Sequence, residues 1–230
     1  MVSDCSTCIV RNRAICSGLQ AEELAMLGKI GRKQKIKAGH ILMWEGDEAP
    51  VVANVLDGVL KMVVSASDGR EQIVGVVFPS DFIGRPFGRE TPYSVTAMTD
   101  AEMCIFNRKA FDEFAGSHAD LQQKLLRRTL DELDRARQWM MLLGRKTASE
   151  KIASFLLEMS ERLSGQGCET DLKSSFELPF GRQQIADILG LTIETTSRQL
   201  TKMRADGLID LPSRREIVIH DRKAMQRLAG

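Results

Sequence analysis

Between Lys33 and Arg108 the apolar residues recur at a period of about two, and after Phe111 they recur at the three-four spacing of a helix. A chain that changes period in this way is α+β, with a strand-rich part first and helices following. Turn signals punctuate the first stretch at Gly39, Gly46-Asp47, Asp57-Gly58, Asp68-Gly69 and Ser80-Asp81, which predicts many short strands in a sandwich or barrel. Ile36, Ile41, Leu42, Val52, Val55, Leu56, Val59, Leu60, Met62, Val64, Ile73, Val74, Val76 and Val77 are its predicted core, and Asp68-Gly69 is the clearest hairpin turn. From Phe111 through Leu143 one long helix is expected, with Leu126, Leu133, Ala136, Met140 and Leu143 as an apolar seam. Asp131 and Arg135 stand four apart on its solvated side. Such a seam is longer than one copy of this chain needs and predicts pairing with a second copy.

Gly144-Arg145-Lys146 reads as a hinge into a helix over Thr147 to Leu163, where Thr147 and Glu150 form a capping box and Ile152, Phe155, Leu156 and Met159 are buried. A loop over Ser164 to Cys168 and a short strand over Phe176 to Leu178 follow. From Gln183 to Ile209 the sequence reads as two helices joined by a tight turn at Gly190. Ile185, Ala186, Ile188 and Leu189 face inward on the first helix, and Thr192 caps the second. The inner stripe of that second helix is expected to be Ile193, Leu200 and Met203. Glu194, Ser197 and Arg198 stand at i, i+3 and i+4 on the opposite face. Together they suit a major groove: an Arg fork for guanine or phosphate, a carboxylate for the cytosine amine, and a hydroxyl for base or backbone. Asp206-Gly207 ends the helix, and Leu208-Ile209 and Ile217-Val218-Ile219 bracket Pro212-Ser213-Arg214-Arg215 as a basic wing. The net charge is only +1, but from Leu178 to Gly230 nine Lys/Arg stand against six Asp/Glu, so positive charge collects where nucleic acid would be met. A purely structural role leaves the Glu194, Ser197, Arg198 face without a purpose.

No apolar run approaches the roughly 20 residues of a membrane span, and the first 30 residues hold no signal-peptide core. The expected location is therefore the cytoplasm, where thiols stay reduced and five cysteines point to metal, cluster or redox chemistry before disulfides. Residues 1–18 carry Cys5, Cys8 and Cys16 with little apolar periodicity, so something besides burial is expected to order them. A short helix over Ser17 to Ile30 follows, with Leu19, Leu24 and Leu27 as its stripe. Cys104 lies far downstream, where the last strand ends. Four thiolates from two separate segments suit a tetrahedral zinc or an iron-sulfur cluster, and spacing alone does not choose between them. Other readings stand beside these: Cys104 as a small buried hydrophobe, Cys5 and Cys8 as a zinc hook or plain thiols, and Cys168 as an unliganded thiol. His40, His118 and His220 are scattered, and there is no Gly-x-Ser-x-Gly, P-loop or dinucleotide fingerprint, so an enzyme is not expected.

The turns named above, the Asp81-Phe82-Ile83-Gly84 stretch, the long helix and the winged helix-turn-helix, in that order, resemble the CRP/FNR superfamily of transcription regulators along nearly the whole chain. The resemblance implies a cysteine-rich cluster-binding segment at 1–18, a β-roll sensor domain like a cyclic-nucleotide-binding domain at 19–115, a dimerisation helix at 116–144 and a winged helix-turn-helix domain at 145–230. The stretch Thr192-Ile193-Glu194-Thr195-Thr196-Ser197-Arg198 looks like the recognition helix of the FNR branch, which implies that Glu194, Ser197 and Arg198 read half-sites of the TTGAT...ATCAA type in double-stranded DNA. Oxygen-sensing members hold a 4Fe-4S cluster on three N-terminal cysteines and one in the sensor domain, which implies Cys5, Cys8, Cys16 and Cys104 as ligands here. A homodimer controlling anaerobic genes with RNA polymerase as partner is implied, Arg85 to Thr91 being a loop placed to meet the polymerase. Regulators of the superfamily that sense haem-bound gas, or no ligand at all, are the alternative. Cyclic nucleotide is not expected, because Asp81 to Phe87 and Thr91 to Val95 lack the acidic ribose partner and the phosphate arginine of the nucleotide-binding members.

Overall fold

The computed structural model describes residue 5, residues 7–163 and residues 175–230; the loop expected at Ser164 to Cys168, and with it Cys168, lies outside these. The chain divides into two compact units, Met1–Asp134 and Arg135–Gly230. The first unit begins with a single 3-10 turn, Ile15–Gly18, and helix α1, Ala21–Ile30, whose start is fixed by the Gln20 N–H donating to the Glu23 carboxylate at 2.8 Å. The predicted helix start at Ser17 is thus four residues early. Leu19, Leu24 and Leu27 are buried as expected.

Strands β1 (Gly31–Ile36), β2 (Ile41–Met43), β3 (Val51–Asp57), β4 (Leu60–Ser65), β5 (Glu71–Val77), β6 (Phe82–Ile83), β7 (Ser94–Ala97) and β8 (Ala101–Asn107) form two antiparallel sheets, ordered β1-β8-β3-β6 and β2-β7-β4-β5. The core on one face of the first sheet holds Ile36, Ala53, Val55, Ile83, Met103 and Ile105, with Leu60, Val77, Val95 and Ala97 from the second. Gly58 makes the β3–β4 turn at φ +84°, where a side chain would also strike the Asp100 carbonyl. The Asp68-Gly69 hairpin joins β4 to β5 as predicted, its Asp68 carboxylate accepting from the Arg70 N–H at 3.1 Å. The predicted core is corrected at two places: Val52 and Leu56 pack into a layer on the other face of the first sheet, and β5 carries a bulge. Met62 lies opposite Gly75 and Val63 opposite Ile73, so Val74 is the extra residue of a bulge and stands 51% exposed, while Val63, not predicted, is buried. Ile41, Leu42, Met62, Val64 and Val76 are half-buried.

The expected single helix after Phe111 is two: α2, Arg108–Gly116, and α3, Ala119–Arg145. The break falls at Ser117-His118, where the Ser117 hydroxyl and the His118 ring both bond the Phe114 carbonyl that would otherwise carry the helix onward. Gly144 lies inside α3, so the change of direction comes later than expected, at Lys146-Thr147.

The second unit contains α4 (Ala148–Leu163), β9 (Ser175–Glu177), α5 (Arg182–Leu189), α6 (Ile193–Ala205), β10 (Ile209–Asp210), β11 (Glu216–Ile219) and α7 (Arg222–Ala229), with the sheet ordered β10-β11-β9. The capping box at the start of α4 is present: the Thr147 N–H donates to Glu150 at 2.6 Å and the Glu150 N–H to the Thr147 hydroxyl at 3.4 Å. Ile152, Phe155, Leu156 and Met159 are buried from one face of α4, Phe155 meeting Phe180 ring to ring at 5.8 Å.

Candidate functional site

Strand alternation decides where the distal cysteine points. On β8, Ala101, Met103 and Ile105 enter the core between the sheets, so Cys104 and Phe106 face the other way. That outer layer is closed by Val10, Ala14, Ile15, Cys16 and Leu19 of the N-terminal segment, by Leu24 and Leu27 of α1, and by Phe111, Phe114 and Leu121 of α2 and α3. Cys5 and Cys8 are packed against it, partly buried. The structure therefore brings all four predicted residues to one layer, as thiols, with Cys16 and Cys104 buried. Burial pushes the Cys16 thiol up to about 11, and the neighbouring Cys8, Cys5 and Cys104 push in the same direction. Gly31 leaves room here: a Cβ on it would lie 3.4 Å from the Cys104 sulfur and collide with the Phe106 ring.

The donor set fits a metal-sulfur group. It is all sulfur, drawn from a segment and a strand, and packed in and against an apolar layer that penalises bare thiolates and so favours a cation that neutralises them. Among the described residues no three His, Cys, Asp or Glu stand at the short range of a preformed metal site; a multinuclear cluster spaces its ligands wider than one ion does. The segment is also better anchored than its sequence suggested. Val10, Ala14 and Ile15 are buried, so apolar contact holds it from Val10 onward, while Ile9 is 72% exposed and Cys5 and Cys8 lie ahead of the first anchor. Arg128 of α3 grips this segment, donating to the Arg13 carbonyl, to the Ser80 carbonyl at 3.4 Å, and lying 3.8 Å from the Asp81 carboxylate. Nothing in the sequence singled out Arg128.

The second site is built locally. Gly190 ends α5 in the left-handed conformation (φ +60°), and Lys151, buried in α4, donates to the Leu189 carbonyl at 3.2 Å, satisfying an acceptor at that helix end. The Thr192 hydroxyl then caps α6 by accepting from the Thr195 N–H at 3.2 Å. On α6 the inner stripe is Thr196, Leu200 and Met203; Ile193, expected there, is 38% exposed because it is the first residue of the helix, ahead of the packed turn. Glu194 and Arg198 are exposed and Ser197 is half-buried on the open side. Bonds from its own backbone N–H and from the Thr192 hydroxyl hold the Glu194 carboxyl below the usual carboxylate range, keeping it an ionised acceptor at the helix start. The wing forms as predicted between β10 and β11. Ser213 accepts from the Arg215 and Glu216 N–H groups, and Arg214 and Arg215 are exposed.

Along α3, Leu126 (60%), Leu133 (44%), Met140 (73%) and Leu143 (36%) are exposed, and Ala136 with them. Leu130 (52%) completes the stripe; it lies four residues after Leu126 and three before Leu133, so the spacing already contained it. The Arg85 to Thr91 loop is pinned by the buried Arg108, which donates to the Gly88 carbonyl at 2.6 Å and the Ala49 carbonyl at 2.8 Å. Phe87 stands exposed at the loop's tip with φ +59°. Tyr93, in the stretch that would meet a cyclic phosphate, is half-buried against the sheet core, and burial raises its hydroxyl pKa, with Glu132 adding to that and Arg85 opposing.

A β-roll with thiols gathered on its outer layer in one unit and a winged helix-turn-helix with an open polar face in the other define a two-domain DNA-binding regulator. Residues 150–228 match the Crp-like helix-turn-helix domain and residues 33–118 the cyclic nucleotide-binding domain. The transcriptional activator protein FnrL of Cereibacter sphaeroides is 43% identical over 227 residues, 98% of this chain and 92% of its own length. The nitrogen fixation regulation protein FixK of Bradyrhizobium diazoefficiens is 38% identical over 205 residues, 89% of this chain and 85% of its own. The solved structure of FixK2 from Bradyrhizobium japonicum superposes with a TM-score of 0.80 at 31% identity, covering 87% of this chain and 98% of that one. The chain belongs to the Crp/FNR family of transcriptional regulators. No helix among the described residues is long and apolar enough to cross a membrane.

Proposed function

We propose that this protein is an oxygen-responsive transcriptional activator in which Cys5, Cys8, Cys16 and Cys104 hold a 4Fe-4S cluster. In this reading two copies pair through α3, and Glu194, Ser197 and Arg198 of each read one TTGAT-type half-site. The observation that carries it is the convergence of the four thiols on one apolar layer beside α3. The cluster supplies oxygen-sensitive iron-sulfur bonds; the response itself is a property of the chain. Cys5 and Cys8 lie ahead of the first buried anchor and are only partly buried, so ligation adds to the packing that holds them. Arg128 reports the position of the segment to α3 through the Arg13 carbonyl, and the exposed Leu126, Leu130, Leu133 and Met140 supply the face on which a second copy packs. Losing the ligation loosens the segment and with it the α3 register, and a single half-site reader binds far more weakly than two linked ones. The loop tip at Phe87, held rigid by Arg108, is the surface offered to RNA polymerase.

The test is an absorption spectrum of anaerobically purified protein with iron and sulfide assays, repeated in air. Broad visible absorbance that bleaches on aeration, with about four irons per chain, is the expected result. A colourless anaerobic protein, or one carrying a single zinc, overturns the cluster and leaves the DNA-binding assignment standing.

A further inference from the structure

Among the described residues, the sheet face that gathers the thiols has one buried polar side chain, Asn54; Lys33, opposite Cys104 on β1, is exposed. On β3, Val52 and Leu56 enter this layer and Ala53 and Val55 the opposite core, so by alternation Asn54 belongs to the thiol side. Its neighbours across the sheet are Cys104 on β8 and Phe82 on β6, and residues paired in this way present their side chains to one another on the same face. Asn54 is only 2% exposed, and its Oδ1 has no hydrogen-bond partner. A buried carboxamide oxygen with nothing to accept from is destabilising, whereas leucine at the same place in an apolar layer is not. The amide is therefore a burden on this layer unless a polar group completes it, and the polar atom nearest along the register is the sulfur of Cys104.

We infer that Asn54 is a positioning residue for the thiol centre, its carboxamide giving a hydrogen bond to the Cys104 sulfur when that sulfur is a ligated thiolate. A half-turn of the amide's end group exchanges acceptor for donor, so the NH2 turns to the sulfur and donates to it once that sulfur is a thiolate. Hydrogen bonds to ligand sulfur stabilise the more negative state of a metal-sulfur group and slow the departure of metal. This inference rests on the cluster reading above.

The test compares wild type, Asn54→Leu and Asn54→Asp after anaerobic reconstitution with iron and sulfide. The readouts are the rate of iron release to a chelator without oxygen, the midpoint potential, and the melting temperature of the metal-free protein. Asn54→Leu is expected to leave the metal-free protein as stable as wild type or more so, to release iron about tenfold faster, and to shift the potential downward. Asn54→Asp, which keeps the shape but places a carboxylate beside the sulfur, is expected to release iron faster still. Iron release and potential equal to wild type in both variants overturn the role of Asn54 while leaving the cluster intact. A wild-type protein that takes up no iron removes the cluster reading and this inference together. Should Asn54→Leu not fold, Asn54→Ser, with a smaller donor, is expected to fall between wild type and Asn54→Asp in iron release, and equality with wild type overturns the inference.

Discussion

The thiol centre and the reading face of α6 are assembled in opposite ways. Glu194, Ser197 and Arg198 lie within two turns of one helix, so their relation to one another is set by helix geometry and survives anything that leaves α6 folded. Cys5, Cys8, Cys16 and Cys104 come from an N-terminal segment and an inner strand of a sheet, so their relation depends on β8 register and on the Val10 and Ile15 anchors. A site made locally transmits contact; a site made from distant pieces responds to whatever loosens one of them.

The largest break in this comparison is expected from Cys16→Ser. Removing the buried thiol at the centre of the set should take anaerobic iron to background and lower affinity for a two-half-site DNA by about a hundredfold or more, because dimer binding is lost. Affinity for an isolated half-site should stay at the wild-type value. Gel-shift titrations on palindromic and half-site duplexes, beside iron assays, check this; retained iron or a weakened half-site contact contradicts the separation of the two sites. Arg198→Ala probes the reverse case. It should leave the iron-sulfur spectrum and the dimer untouched and weaken each half-site by about 1–3 kcal/mol, most strongly against a duplex with the contacted guanine kept. An equal loss on unrelated DNA would reduce Arg198 to a phosphate contact.

How much of each site the sequence disclosed follows the same division. The helix-turn-helix was legible almost residue by residue, since Gly190, Thr192, the i, i+3, i+4 face and the wing are all local patterns; the single error, Ile193 for Thr196, came from reading hydrophobicity where position in the first turn decides burial. In the first unit the turns and the hairpin were legible, but the bulge at Val74 was not, because nothing in an apolar run marks which residue the partner strand skips. The helix break at Ser117-His118 was missed because neither residue is a strong breaker; their side-chain bonds to Phe114 act only once folded. The four cysteines were visible as a set of thiolates for zinc or an iron-sulfur cluster, and only the family resemblance chose the cluster. Asn54 and Arg128 were invisible, since their meaning lies in contacts between segments far apart in sequence.

Arg128 ties the thiol-bearing segment to α3, and its truncation tests whether the two sites communicate. Arg128→Ala removes the grip on the Arg13 carbonyl but no thiol and no DNA contact, so iron content and half-site affinity should remain those of wild type. The gain in two-half-site affinity on going from aerobic to anaerobic protein should shrink by about fivefold, the scale of roughly 1 kcal/mol of coupling. Paired titrations with and without oxygen measure it. An unchanged ratio places the coupling elsewhere on α3.

The smallest effect is expected within the second unit, at Glu158 of α4. Burial raises its carboxyl pKa above the ordinary value, against the pull of Arg162 and Arg135. A folded carboxyl with a raised pKa gives stability that is complete below the unfolded value of about 4.3 and is lost as pH rises through the folded value. At neutral pH the ionised Glu158 is therefore a small burden on the unit, retained beside Trp139, which shares a hydrogen bond with it. Glu158→Gln keeps the shape and removes the charge, so it should raise stability at pH 7 by up to about 0.5 kcal/mol, or about 2–3 °C in melting temperature. The advantage should fade as pH falls toward the ordinary glutamate value. Melting curves of the two proteins at pH 7 and pH 5 decide it. A lower melting temperature for the glutamine variant at pH 7 means that the arginines outweigh burial, making Glu158 a member of an ion-pair network that depends on α3 rather than a self-contained feature of the DNA-binding unit.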